Sequence, residues 1–393
     1  MDTKNPIFDI SNWKYLDTQL TFKKLEKMTP RKFGIVWVND GSISPLDLYC
    51  YLKSRFGDPN GVAMLARQNS TDNPIQWHYT LFSDDSDISI FGMNIHLEIM
   101  VSSNRPIFKK DWRTFVKIVK DDFKKSGPKM TKVRKSLEKW SIFNNPYKRL
   151  NMVAETLVER LKELDLQKLK PLPSVTITEK QQKEYFKKLE RWQKNIHEAK
   201  IISTSLKMIA PVLGESFVNM IIFILAKQKV KSDSRLYEDL IRKQIDVRVK
   251  SLPLYCDGFI KDIESDAEEF KKFLTLMNSR NDFLHGNVNP IKLKFDEVFF
   301  DKTIPIFHDE QSLSIHLIEN SLYNIEPESA INDVKVVRDF IDFIIDHIDS
   351  KIRLEVIVLM FEYQLGWRED TKRVGVLFSS PIPEFNLIRD DNK

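Results

Sequence analysis

Cysteine is scarce in this chain. Cys50 and Cys256 are the only two in 393 residues, far apart and without a closely spaced partner. That excludes a zinc knuckle and a disulfide framework and implies a reducing compartment. Long apolar runs are missing as well. The longest, residues 217–226 and 357–361, are far too short to span a bilayer, so no membrane association is expected. The opening Met1-Asp2-Thr3-Lys4-Asn5-Pro6 lacks a signal-peptide core, and the expected location is cytoplasmic. Neither a Gly-rich phosphate loop nor a Rossmann fingerprint occurs, and there is no Gly-x-Ser-x-Gly elbow. Charge of one sign is weak. The net +5 argues neither for nor against a nucleic-acid partner, so its distribution matters more.

Metal chemistry finds little support. The carboxylate pairs Asp84-Asp85, Asp121-Asp122 and Asp390-Asp391 are adjacent in sequence, which on a strand points them to opposite faces. His308 and His316 lack an acidic or cysteine partner at ligand spacing. His197 and His347 fall on helical segments in structural roles, and His78 and His96 are candidates to pair across a sheet. No metal site and no cofactor are expected.

What is present is a soluble globular composition, 42% hydrophobic and 30% charged, long enough for two or three domains. The predicted fold class is α+β, a mixed α/β domain followed by a helical bundle with a β-hairpin insertion. Residues 1–125 read as a recognition or sensor domain. Strands are predicted at 33–38, 61–67, 75–82 and 88–101 (with a break at Gly92), and helices at 46–56 and 111–125. Ser126-Gly127-Pro128 reads as a breaker. It opens a basic helical connector over 126–199, with a helix over 151–166, a break at Lys170–Ser174 and a charged helix from 179 to 196.

Residues 200–366 read as the helical domain. Leu213, Phe217, Met220, Ile221, Ile224 and Leu225 repeat on one face, and Tyr237, Leu240, Ile241, Ile245 and Val247 mark a second segment. Residues 266–284 carry the stripe Phe270, Phe273, Leu274, Met277 and Leu284. Alternation over 291–307 predicts the hairpin, 330–365 is helical again, and 367–393 is expected as an extended tail.

One short stretch carries chemistry. Arg280-Asn281-Asp282-Phe283-Leu284-His285-Gly286 places a permanent cation, an amide and an imidazole together at the end of a helical pattern. The arginine can hold phosphate charge and the histidine can move a proton near neutral pH, which is enough to cut a phosphodiester without a metal. On a helical wheel Asn281 falls between the buried positions Met277 and Leu284, an expensive place for an amide without a partner. Arg280 and His285 splay by roughly 140° on one straight helix. They converge if the last turn unwinds at Gly286, or if two copies meet about a two-fold axis; the second option predicts a homodimer with a composite cleft.

This Arg-x4-His spacing, with Asn281 after the arginine and Gly286 after the histidine, resembles the signature of HEPN-domain ribonucleases. The segment Gly214-Glu215-Ser216-Phe217-Val218-Asn219 is similar to the acidic-then-aromatic helix that opens many such domains. The likeness covers residues 200–360. It implies a dimeric helical bundle with Arg280, Asn281 and His285 as catalytic residues, RNA as substrate, and a setting in toxin or antiviral defence. The hairpin departs from a plain bundle.

Plainer readings stand beside these. Arg280 and His285 near a helix C-terminus form a favourable capping pair. Lys129, Lys132, Arg134 and Lys135 are candidates for substrate binding, with Trp112, Trp140, Phe143 and Tyr147 as stacking faces, yet a solvated helix face and core aromatics give the same pattern. The competing function is a non-catalytic dimerisation module that binds RNA, a nucleotide or a protein. A protein or nucleotide activator at the N-terminal domain is expected in the enzymatic reading.

Overall fold

A computed structural model describes residues 9–94, 96–167, 178–284, 297–306, 327–361 and 365–378. It is mixed α and β, with a sheet-containing N-terminal region and a helical C-terminal region. The described residues group into two compact units, one within Met1–Trp140 with Leu377 and Phe378, and one within Ser141–Val376.

The first unit is a five-stranded antiparallel sheet, in order β1 (Lys14–Tyr15), β3 (Ile75–Phe82), β4 (Ser86–Met93), β5 (Leu97–Ser103) and β2 (Phe33–Val38). Register follows the side-chain alternation. Tyr79 lies opposite Ile90, and Ile90 opposite Ile99, which in turn faces Trp37. These residues share one face, and all are buried. Their core also takes in Leu48 and Leu52 from α2 (Pro45–Phe56) and Trp112, Phe115 and Val119 from α3 (Asp111–Ser136). Ser44 caps α2 by accepting from the Asp47 amide, and Pro45 occupies the first turn, where a missing N–H costs nothing. A further helix, α1 (Thr18–Lys27), starts at Asp17, whose side chain accepts from the Leu20 amide.

Two expectations fail here. The segment 61–67 is no strand; Val62–Leu65 is a short 3-10 helix. The Gly61 amide donates to the His78 carbonyl, and the Ala63 amide donates to His78 Nδ1, so these donors turn inward instead of joining a ladder. A Cβ on Gly61 would fall 2.1 Å from the His78 ring, so only glycine permits this approach. Nor does α3 stop at Ser126-Gly127-Pro128; it runs on to Ser136. Proline in a helix interior costs about 3 kcal/mol, but buried aromatics anchor one side of it, and an Arg134–Asp47 ion pair with a partly buried Met130 anchors the other.

His78 is buried, stacks on Phe91 at 4.0 Å and sits beside the Thr80 hydroxyl; it does not pair with His96, which bonds Glu98. Burial pushes its pKa down from 6.5 to about 4. The unfolded chain therefore binds a proton that the folded chain refuses. The stabilising effect of neutral His78 is complete above about pH 6.5 and is lost as pH falls toward 4, by up to ~3 kcal/mol. Urea unfolding of the intact protein at pH 7.5 and pH 4.5 should show this loss, and His78→Gln should show a flatter pH dependence. An equally steep profile in the variant would refute the assignment.

The second unit is built around α5 (Glu179–Leu225), a continuous helix of 47 residues. Thr178 and Gln181 form a capping box at its start. Pro211 lies within it without ending it. The expected boundaries at 125/126 and 199/200 thus both fall inside helices. One 18-residue window of α5 is long and apolar enough to cross a membrane, and 61% of it is buried inside the protein. Around α5 lie α4 (Pro146–Glu163), α10 (Glu268–Leu284), α11 (Pro327–Asp346) and α12 (Ser350–Phe361). Leu213, Phe217 and Ile221 of α5 share a core with Ala154 and Leu161 of α4, Phe270 and Phe273 of α10, and Val337 and Phe340 of α11.

Four shorter helices, α6 (Gln228–Ser232), α7 (Ser234–Arg242), α8 (Ile245–Lys250) and α9 (Leu252–Tyr255), connect α5 to α10. The expected hairpin is present as β7 (Phe299–Asp301) paired with β8 (Ile304–Ile306); residues 291–296 and 307 lie outside the described residues. The expected extended tail is corrected in part. Strands β9 (Leu365–Arg368) and β10 (Arg373–Val376) form a hairpin that pairs with β6 (Ser141–Phe143), and residues 379–393 lie outside the described residues. The alternation of Leu365, Trp367 and Val374 across this short ladder explains why it pairs instead of trailing. The break expected at Lys170–Ser174 also lies outside the described residues.

Candidate functional site

Helix α10 is held by its apolar stripe. Phe273 stacks on Phe340 with ring centroids 4.0 Å apart and planes 7° from parallel, and Phe270 stacks on the same ring at 6.1 Å. A Cβ on Gly214 would come within 2.3 Å of the Phe273 ring, so α5 meets α10 where α5 has no side chain. The buried stripe is Phe270, Phe273, Leu276 and Met277; Leu284, expected on it, is 53% exposed.

Arg280 lies on the last turns of α10, with its side chain 18% exposed. Its Nη2 and Nε donate to Asn281 Oδ1 at 2.8 and 3.2 Å. Its Nη1 stands 3.7 Å from Glu215 Oε2 on α5. Asn281 is exposed and not buried in the stripe, so its amide carries no burial penalty. Among the described residues, the hydrogen bonds of Arg280 go to Asn281 and its ion pair to Glu215.

A second arginine completes the cluster. Arg248 of α8 is 5% exposed. It donates to Asn219 Oδ1 at 2.7 Å, to Glu215 Oε1 at 3.1 Å and to the Lys243 carbonyl at 2.9 Å. Glu215 and Asn219 are one helical turn apart on α5 and so share a face. One carboxylate therefore serves two guanidiniums, and it sits closer to Arg248. Charge-assisted N–H to oxygen bonds are about 2.7–2.9 Å, so the 3.7 Å contact with Arg280 is an electrostatic brace more than a bond. The cluster carries a net positive charge, and the more accessible of its two cations is Arg280. It can hold an anion while Arg248 stays locked beneath.

His285 follows α10 directly in sequence and lies outside the described residues. The expected site residues thus divide. Arg280 and Asn281 are in direct contact, and Glu215 and Asn219, noted only as part of a helix, join them. Arg248 was missed altogether. Nothing in the local sequence marks it out, because Asp246 and Lys250 alternate with apolar residues in the same way. Lys129, Lys132, Arg134 and Lys135 lie exposed on the last turns of α3, in the first unit, where Arg134 pairs with Asp47.

Of the stacking candidates, Trp112 and Tyr147 are buried in core. No group of three or more histidine, cysteine or acidic side chains able to hold a metal ion occurs among the described residues. His308 and His316 lie outside them. Comparison with known protein families, curated proteins and solved structures found no match.

Proposed function

We propose that this chain is a metal-independent endoribonuclease of HEPN-like type. The observation that carries the reading is the Arg280–Asn281 pair at the end of α10, braced by a carboxylate that Arg248 largely occupies. In this reading His285 takes the proton from a ribose 2′-hydroxyl. The 2′-oxygen attacks phosphorus, the 5′-oxygen leaves with a proton, and a 2′,3′-cyclic phosphate and a 5′-hydroxyl end result. Arg280 stabilises the added charge on the phosphorane-like transition state, and Asn281 orients the phosphate. DNA, which lacks the 2′-hydroxyl, is not cut by this route.

The rest of the proposal follows the family likeness. Two copies of the helical domain form a homodimer and meet at a composite cleft. The N-terminal unit receives a protein or nucleotide activator, and the basic end of α3 contacts RNA. The enzyme acts in the cytoplasm, in toxin or antiviral defence.

A second reading rests on one fact: Arg280 already has partners within its own chain. A non-catalytic module would keep it so and only bind RNA, a nucleotide or a protein. Incubation of the full-length protein with total RNA in excess EDTA separates the two. The enzymatic reading expects fragments with cyclic phosphate ends at undiminished rate. Intact RNA, or cleavage that EDTA stops, would sink it.

A further inference from the structure

Away from α10, the second unit has a hollow of 210 Å³ at the C-terminal end of α5. Phe223 of α5, Tyr237 of α7 and Trp367 of β9 line it together with Lys231 of α6 and Lys372, which lies in the β9–β10 turn. The Phe223 and Trp367 rings are 5.0 Å apart at 36°, and both are half-buried. The Lys372 ammonium stands 5.9 Å from the Trp367 ring centroid. Lys231 Nζ donates to the Ile224 carbonyl at 2.8 Å. Neither lysine forms an ion pair with a carboxylate among the described residues. Glu238, at the rim, is directed to Arg242 at 3.4 Å.

We propose that this hollow binds one nucleobase with its attached phosphate, the base stacked on Trp367 and the phosphate between Lys231 and Lys372. Flat π faces and ammonium groups that no described carboxylate pairs with are the two elements of sequence-tolerant nucleotide binding. The volume suits a single base and not a helical stack. Burial pushes the Lys231 ammonium below its ordinary pKa, with Cys256 and Asp257 acting in the opposite direction. An anion placed beside it would relieve that cost. A cationic ligand, the other occupant of aromatic hollows, meets two like charges here. The inference holds whether or not the α10 site cuts RNA.

Two sources share this chemistry, a free nucleotide and an unpaired base of RNA. Calorimetric titration of the full-length protein with adenosine 5′-monophosphate, uridine 5′-monophosphate, pentaadenylate and ribose 5-phosphate distinguishes them. To keep the pentanucleotide intact, its 2′-hydroxyls are methylated. Binding of the mononucleotides with no gain from the longer chain identifies a free nucleotide; tighter binding of the pentanucleotide identifies RNA. Ribose 5-phosphate is expected to bind at least tenfold more weakly than either mononucleotide.

Lys372→Glu, in the half-buried part of the β9–β10 turn, and Trp367→Leu should each weaken binding by about tenfold or more, while Trp367→Phe stays within about threefold. Thermal unfolding of each variant confirms that it is folded. If Trp367→Leu does not fold, Lys372→Glu decides the matter. Absence of any nucleotide binding overturns the proposal, as do equal affinities for ribose 5-phosphate and the mononucleotides, or wild-type affinity in Lys372→Glu.

Discussion

His285→Ala is expected to lower the rate of RNA cleavage by about 10²–10⁴-fold, the usual contribution of a positioned proton-transfer group. Arg280→Ala should fall in the same range, because it removes the one accessible guanidinium of the cluster. Arg280→Lys should not restore activity. A point ammonium cannot fork onto Asn281 while facing a phosphate. Arg280→Ala should unfold within ~1 kcal/mol of the parent, as is usual for substitutions that leave the packed core intact.

Arg248→Ala separates the roles. It leaves Glu215 and Asn219 without their buried partner, so it should cost ~3 kcal/mol of stability. Single-turnover cleavage assays beside urea unfolding of the same preparations read both quantities. Full activity in either Arg280→Ala or His285→Ala removes the catalytic assignment. A large stability loss in Arg280→Ala would mean that the residue is structural.

Phe273→Ala is expected to destabilise the protein by ~3–5 kcal/mol, near the upper end for a core truncation. The site itself explains the size. The Phe273 ring is fully buried, stacks face to face on Phe340 and fills the gap that Gly214 leaves in α5. Removing it opens a cavity among three helices that cannot all move inward. Phe273→Leu keeps most of the volume and should cost less than half as much. Gly214→Ala acts from the other side and should cost about 1–3 kcal/mol, because its Cβ meets the ring. Urea unfolding ranks the three. A cost under ~1 kcal/mol for Phe273→Ala would show that α10 is not anchored as described. Since α10 carries Arg280, cleavage should weaken in Phe273→Ala even under conditions where the protein stays folded.

The division into a sheet region and a helical region could be read from residue periodicity. The short apolar run at Phe33–Val38, the alternation at Ile75–Phe82 and the apolar repeat through Leu213, Phe217 and Ile221 are local signals, and the structure follows them. The misreadings have one physical source. By local propensity Gly61 reads as part of a strand and Gly127 and Pro128 read as breaks, because propensity is summed over neighbours in sequence. Gly61 instead accommodates a histidine 17 positions away, and Pro128 is carried by packing on both sides of it.

The candidate site was legible only in part. Arg280 and Asn281 stood out because they are adjacent in a motif. Their brace was not legible, because it joins Glu215 and Asn219, one turn apart on α5, to positions 248 and 280, which no spacing rule links to them. By itself the sequence determined the helical stripe that fixes which face of α10 is buried, and the chemical groups available at that helix's end. Tertiary structure alone decided that Asn281 is exposed, that Arg248 lies under Glu215, and that Arg280 keeps the more open share of one carboxylate. Burial and charge pairing are properties of neighbours in space, and those neighbours come from distant parts of the chain.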